Sequence, residues 1–162
     1  MNRSMHWLAV AAAALLLGAC TAYSPTSLSP GTPVADVRSA MGEPTNEYSG
    51  PDGTRRLEYA KGPYGLHTFM LDIDRQGRLI GSQQVLTRAS FDAIRVGMSG
   101  EEVRYRIGRP ADSRTLPYQN RTLWSYRYDA TFCEWFQVSL NPRGEVVDTG
   151  YAPDPACTSE DD

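Results

Sequence analysis

Three cysteines, two histidines and a scatter of carboxylates are the groups in this chain that could attack, transfer protons or hold a metal. Their spacing argues against most of that chemistry. His67 lies two residues before Phe69, so strand alternation turns it toward an apolar face, as a packing or rim residue rather than a proton carrier. Asp72 and Asp74 fall on one strand face opposite Phe69, Leu71 and Ile73. A carboxylate pair and an ordinary solvated sheet face both have that pattern. There is no CxxC or His-rich spacing for a metal and no Gly-rich phosphate loop opening a helix. The sequence therefore predicts no catalytic residue, no metal site and no cofactor, and a protein that is not an enzyme.

One thiol stands out by position. The run "LAVAAAALLLGAC" carries apolar residues from Leu8 to Leu17 and drops through Gly18 and Ala19 onto Cys20. Its unbroken part is half the ~20 residues a spanning helix needs. With Arg3 ahead of it and small residues behind, it reads as a secretory signal peptide over residues 1–19. The "LGAC" ending resembles a bacterial lipobox, in which the cysteine sulfur takes a diacylglyceryl group and the freed amine is acylated after cleavage. That resemblance implies a lipidated Cys20, palmitate among its acyl chains, and durable anchoring, since two lipid signals hold where one is marginal. Thr21 rather than an aspartate follows, which implies the periplasmic face of the outer membrane.

Removing residues 1–19 deletes one ionised residue, Arg3, and makes the formal charge of −3 one unit more negative. Such a balance excludes a nucleic-acid binder and gives no attraction to anionic lipid. Residues 20–30 are Ser/Thr/Pro-rich and uncharged, the composition of a tether.

The remainder is duplicated. "GTPVADVRSAMGEP" from Gly31 matches "GMSGEEVRYRIGRP" from Gly97 at Gly31/Gly97, Val37/Val103, Gly42/Gly108 and Pro44/Pro110. One inserted residue later, Leu57/Trp124, Tyr59/Tyr126, Phe69/Phe136, Leu71/Val138, Ile73/Leu140 and Leu79/Val146 continue the match. Each copy opens with a short helix. Ser99 and Glu102 have capping-box spacing, while Thr32 with Pro33 starts the first copy differently. Val37 with Met41, and Val103 with Ile107, give each helix one buried face, and Gly42 and Gly108 sit where the helix must stop. Strands are predicted at "RRLEYA", "FMLDID" and "RLIGSQQVL", and again at "RTLWSYRY", "FQVSLN" and "GEVVDTGY". The predicted fold class is α+β: two tandem units over residues 31–87 and 88–152, each a short helix or two followed by a three-stranded antiparallel meander, with a tail over 153–162. Whether the six strands make one sheet or two is open.

"FDAIRVGMSGEEVRYRIGRP", from Phe91 to Pro110, with the aromatic strand at Trp124 and Tyr126, resembles the SmpA/OmlA (BamE-like) family of outer-membrane lipoproteins. The resemblance implies a periplasmic, non-catalytic, protein-binding module that contacts envelope proteins, with β-barrel assembly or envelope integrity as the process. The first copy lacks the opening helix, the tether standing in its place. Tandem units of this shape are also similar to the β-lactamase inhibitor proteins, which implies an alternative role as inhibitor or binder of a periplasmic enzyme.

Two further readings concern sites. Only Cys133 and Cys157 remain once Cys20 is lipidated, and an oxidising periplasm predicts their disulfide. A two-residue turn at Pro142 and Arg143 would put Cys133 opposite Ala152, leaving Cys157 five residues beyond, past Pro153 and Pro155. Trp135 alternates with Phe136 and so faces away from its own helix. It is either a partner-binding aromatic or packed on the other copy or the tail. Arg104 and Arg106 belong to a locally basic stretch that is either a solvated surface or a patch for an acidic partner or lipid headgroup; with Trp135 they are the candidate partner-binding residues.

Overall fold

The computed structural model describes residues 24–157; the expected signal peptide over residues 1–19, Cys20 and the rest of the chain up to residue 23, and residues 158–162, lie outside them. The first unit runs α1 (Val34–Met41), β1 (Asn46–Ser49), β2 (Arg55–Ala60), β3 (Thr68–Ile73) and β4 (Leu79–Gln84). The second runs α2 (Arg88–Phe91), α3 (Gly100–Ile107), β5 (Asp112–Leu116), β6 (Arg121–Arg127), β7 (Glu134–Leu140) and β8 (Val146–Pro153). There are two separate sheets, each four-stranded and antiparallel, in the orders β1-β2-β3-β4 and β5-β6-β7-β8.

This corrects the expected helix-plus-three-strand unit. Each unit has an extra edge strand, β1 or β5, directly after its helix. "NEYS" and "DSRTL" carry no apolar alternation because an edge strand need not bury a face. The opening helix of the second unit also starts earlier than Phe91: α2 ends there, with Thr87 accepting the Ser90 N–H as its cap.

The duplication extends to individual contacts. Leu57, Tyr59, Leu71 and Ile73 pack with Val37 and Met41 in one core; Trp124, Tyr126, Val138 and Leu140 pack with Val103 and Ile107 in the other. The Tyr59 hydroxyl donates to the Gly42 carbonyl at 3.1 Å, and Tyr126 does the same to Gly108 at 3.2 Å. Gly31 and Gly97 donate to the carbonyls of Leu79 and Val146, so residues 25–28 occupy the place of 91–94. Pro25 is buried like Phe91, and Leu28 packs on the first core as Ile94 does on the second. The outer part of the expected tether is therefore docked, as one 3-10 turn over Pro25–Ser27. The caps differ as the residues require: Ser99 and Glu102 close a full capping box, while the Thr32 hydroxyl turns back to Ser29 and Pro33 stands before the helix instead of inside it.

Val103 and Ile107 face the second sheet, and the opposite side of α3 lies on the first. The layers therefore run α1, first sheet, α3, second sheet. Four hairpin turns (50–54, 74–78, 117–120 and 141–144) mark one pole of the stack, and the loops 61–67 and 128–133 mark the other. Because α3 covers it, the far face of the first sheet is not solvated: Thr68, Met70 and Glu58 are buried there.

Candidate protein-binding groove between the two units

The contact between units is built by Arg56, Glu58 and Tyr48 of the first sheet against Tyr105, Gly108 and Arg109 of the second unit. Arg56 grips both Asp72 carboxylate oxygens, at 2.6 and 2.9 Å, and its Nη1 donates to the Tyr105 carbonyl at 3.0 Å while its guanidinium lies 4.5 Å from the Tyr105 ring centroid. Tyr48 meets that ring edge-on at 6.2 Å. Asp72 and Asp74 do not act as a carboxylate pair, since Asp72 is held by Arg56 and Asp74 turns to the Arg78 N–H in the hairpin. Glu58 is 0% exposed, its carboxylate receiving the Tyr48 hydroxyl at 2.6 Å and the Arg109 N–H at 3.2 Å. Burial first, and the Glu58 carboxylate second, push the Tyr48 phenol well above its usual range.

Beside this contact opens a groove of about 840 Å³ between the β1 edge and α3, lined by Tyr48, Arg56, Glu101, Arg104, Tyr105 and Arg106 among others. Of the three glutamates that line it, Glu101 is exposed and the other two are engaged. Glu47 is held by Arg38 and Arg55 at 2.9 and 3.0 Å. Glu102 is committed to the backbone N–H and hydroxyl of Ser99, which hold its carboxyl below the usual range. Two guanidiniums are open by comparison. Arg104 lies over the Trp124 ring at 5.1 Å, a contact that fixes its plane without neutralising it, and Arg106 is exposed; neither forms a salt bridge among the described residues. A groove with open guanidiniums beside a strand edge suits an extended segment bearing carboxylates.

Trp135 does not join these arginines. It faces away from its helix, as alternation requires, but it is 4% exposed and so is not free for a partner. Arg127 covers it. That guanidinium sits 5.0 Å from Trp135 and 4.9 Å from Tyr64, spans the Asp154 carboxylate and donates to the Pro63 carbonyl at 2.8 Å. Both the first unit and the C-terminal tail therefore bury Trp135, and the sequence held no signal for Arg127 as its cover. Arg127 in turn holds the Asp154 carboxyl below its ordinary range.

Cys133 and Cys157 are joined, with Cα atoms 6.2 Å apart. The register differs from the expected one. The hairpin loop spans Pro142, Arg143 and Gly144, and a bulge follows at Ser139/Leu140, so Trp135 pairs with Ala152 and Asp154 donates to the Cys133 carbonyl. Cys157 is then three residues past its partner's level, within reach of a single 3-10 turn, Pro155–Cys157. His67 is exposed on the rim and stacks on Phe69 at 6.4 Å.

No protein-family model and no curated protein matches the chain. Among solved structures it is similar to an extracellular protein containing an SCP domain from Bacillus anthracis, at 12% identity over 79% of this chain and 45% of that one, with a TM-score of 0.30. A cysteine-rich secretory protein from Staphylococcus aureus matches at 9% over 78% and 45%, TM-score 0.29. A Streptococcus mutans protein described as a "putative beta-lactamase inhibitor protein" matches at 11% over 80% and 87%, TM-score 0.30. The chain spans less than half the length of the first two. At these scores the likenesses carry no argument about partner or activity.

Proposed function

We propose that this chain is a lipid-anchored, non-enzymatic, protein-binding module of the bacterial envelope, held at the periplasmic face of the outer membrane by Cys20, and that the groove between its units takes an acidic segment of an envelope protein. The observation that carries the binding half is the pair of open guanidiniums, Arg104 over Trp124 and the exposed Arg106, beside the β1 edge where Glu47 and Glu102 are engaged by other groups. The anchoring half rests on Leu17-Gly18-Ala19-Cys20. The resemblance of the second unit's opening to the SmpA/OmlA family makes the β-barrel assembly machinery the first partner to seek. An enzyme inhibitor would use the same groove and differ only in what it captures.

The test is co-purification from detergent-solubilised membranes with the wild type and with Arg104→Glu/Arg106→Glu. The reading predicts a captured envelope protein that the charge reversal loses while the lipid anchor and the circular dichroism spectrum stay unchanged. Equal capture by both chains refutes the groove; a captured soluble enzyme replaces the assembly role with the inhibitory one.

A further inference from the structure

The loop pole carries apolar side chains that the fold leaves in solvent. Tyr64 is 78% exposed, Phe132 76% and Leu66 42%, and the loops that hold them, 61–67 and 128–133, adjoin across shared hollows. These loops are fixed, not floppy. Arg127 ties Pro63 and Tyr64 to the end of β6, and the Cys133–Cys157 bond with the Arg127 and Asp154 ion pair clamps the second loop to the tail. Tyr64 keeps most of its ring in water despite its contact with Arg127, and large apolar side chains clustered in solvent on anchored loops mark a contact surface.

The chain enters the fold at this same pole. Phe91 stacks on Phe136 at 4.4 Å and meets Tyr128 at 5.1 Å, at the loop end of the second sheet, before the chain runs to Gly97 at the turn pole. Residues 25–28 follow the equivalent course to Gly31, so Pro25 sits at the loop end of the first sheet. Only Thr21 to Ser24 separate Cys20 from that buried proline, and five residue steps span at most about 17 Å. A lipid on Cys20 would therefore draw the loop pole, and not the turn pole, against the bilayer.

We infer that Tyr64, Leu66 and Phe132 form a membrane-contacting face, set into the headgroup region of a lipid surface so that the anchored body stands on its loop pole. This rests on the lipidation of Cys20. Two aromatic rings and a leucine suit the interfacial zone, where amphipathic rings are favoured. The lipid class follows from charge: with a formal net charge of −3 the chain has no attraction for anionic headgroups, so the surface is zwitterionic and added anionic lipid weakens the contact. Standing on this pole leaves the side of the body that carries the inter-unit groove open to the periplasm.

The experiment uses the lipidated chain in phosphatidylcholine vesicles carrying headgroup-level nitroxide lipid, with a single tryptophan placed by Phe132→Trp or, at the opposite pole, by Tyr118→Trp. Trp124 and Trp135 are buried and set the background, measured on the unsubstituted chain. The inference predicts that Phe132→Trp emission shifts to the blue and loses most of its intensity while Tyr118→Trp emission matches the nitroxide-free control. Equal quenching of the two, or quenching of Tyr118→Trp alone, overturns it. Unquenched Phe132→Trp combined with partner loss on Phe132→Ala also overturns it, in favour of a protein contact at the pole. Intact mass separates this failure from that of the anchor: a chain without lipid on Cys20 removes both readings, whereas a lipidated chain with unquenched Phe132→Trp removes this one alone.

Discussion

Gly42 and Gly108 occupy the same place in the two units, and replacing each by alanine should measure how tightly the units are joined. Both have φ +82 and ψ −169, a region that only glycine enters freely, so an added Cβ costs about 1–3 kcal/mol at either position. Their surroundings differ. A Cβ at Gly42 meets nothing within 4 Å, whereas one at Gly108 comes within 3.1 Å of Thr68 Cγ2 and 3.2 Å of the Glu58 carboxyl, both on the first sheet. Glu58 is held from two sides and Thr68 is buried, so neither can withdraw cheaply, and the overpacking adds about 1–3 kcal/mol. Gly108→Ala should therefore cost roughly twice what Gly42→Ala costs. For a body of this size each kcal/mol lowers Tm by roughly 3–5 °C, so thermal melts followed by circular dichroism resolve the difference. Indistinguishable Tm values for the two variants, or a second transition already present in the wild type, would refute a close-packed junction and with it a fixed groove.

Further outcomes follow from the same contacts. Cys20→Ser should abolish fatty-acid labelling and membrane retention, and persistence of either would contradict the anchor. Cys133→Ser should lower stability by about 3.5 kcal/mol, the value for a closed loop with a sequence separation of 24, measurable by urea unfolding with and without reductant. Asp154→Asn leaves Arg127, only 13% exposed, without its charge partner and should destabilise by about 3–5 kcal/mol. The same pair sets a pH dependence. Arg127 lowers the folded-state value of Asp154, so its stabilisation is complete above the unfolded carboxylate value of about 3.9 and is lost as pH falls through the folded one. Asp154→Asn should therefore flatten the acid limb of the stability profile, and an unchanged limb would show that the pair does not act.

The duplication was legible because glycine, proline and core positions are fixed by backbone geometry and packing, and Val37/Val103 or Tyr59/Tyr126 repeat both residue type and contact. Strands β1 and β5 were not legible: at a sheet edge, with solvent on one side, "NEYS" and "DSRTL" need no period-2 apolar pattern. The sandwiching of α3 was hidden for a different reason. Nothing in the sequence marks Tyr105 or Arg56 as a contact between units, and Asp72 and Asp74 suggest a solvated far face for the first sheet, where Met70 and Glu58 are in fact buried. The orientation of Trp135 was legible, but the choice between partner contact and packing on the other copy or the tail was not, because its cover comes from Arg127, Tyr64 and Asp154, separated in sequence and joined only by the packing of tail and units. Arg104 and Arg106 were legible as a basic pair; that they flank the β1 edge of the other unit was not.

The central claim, that the inter-unit groove is where a partner binds, is tested most directly by photo-crosslinking in cells. A photoreactive residue placed at Arg106, in the groove, is compared with one at exposed Thr115 on β5. The account predicts a discrete crosslinked envelope protein from position 106, diminished when Arg104 is also changed to glutamate, and none from position 115. A partner captured at 115 and not at 106 would contradict it.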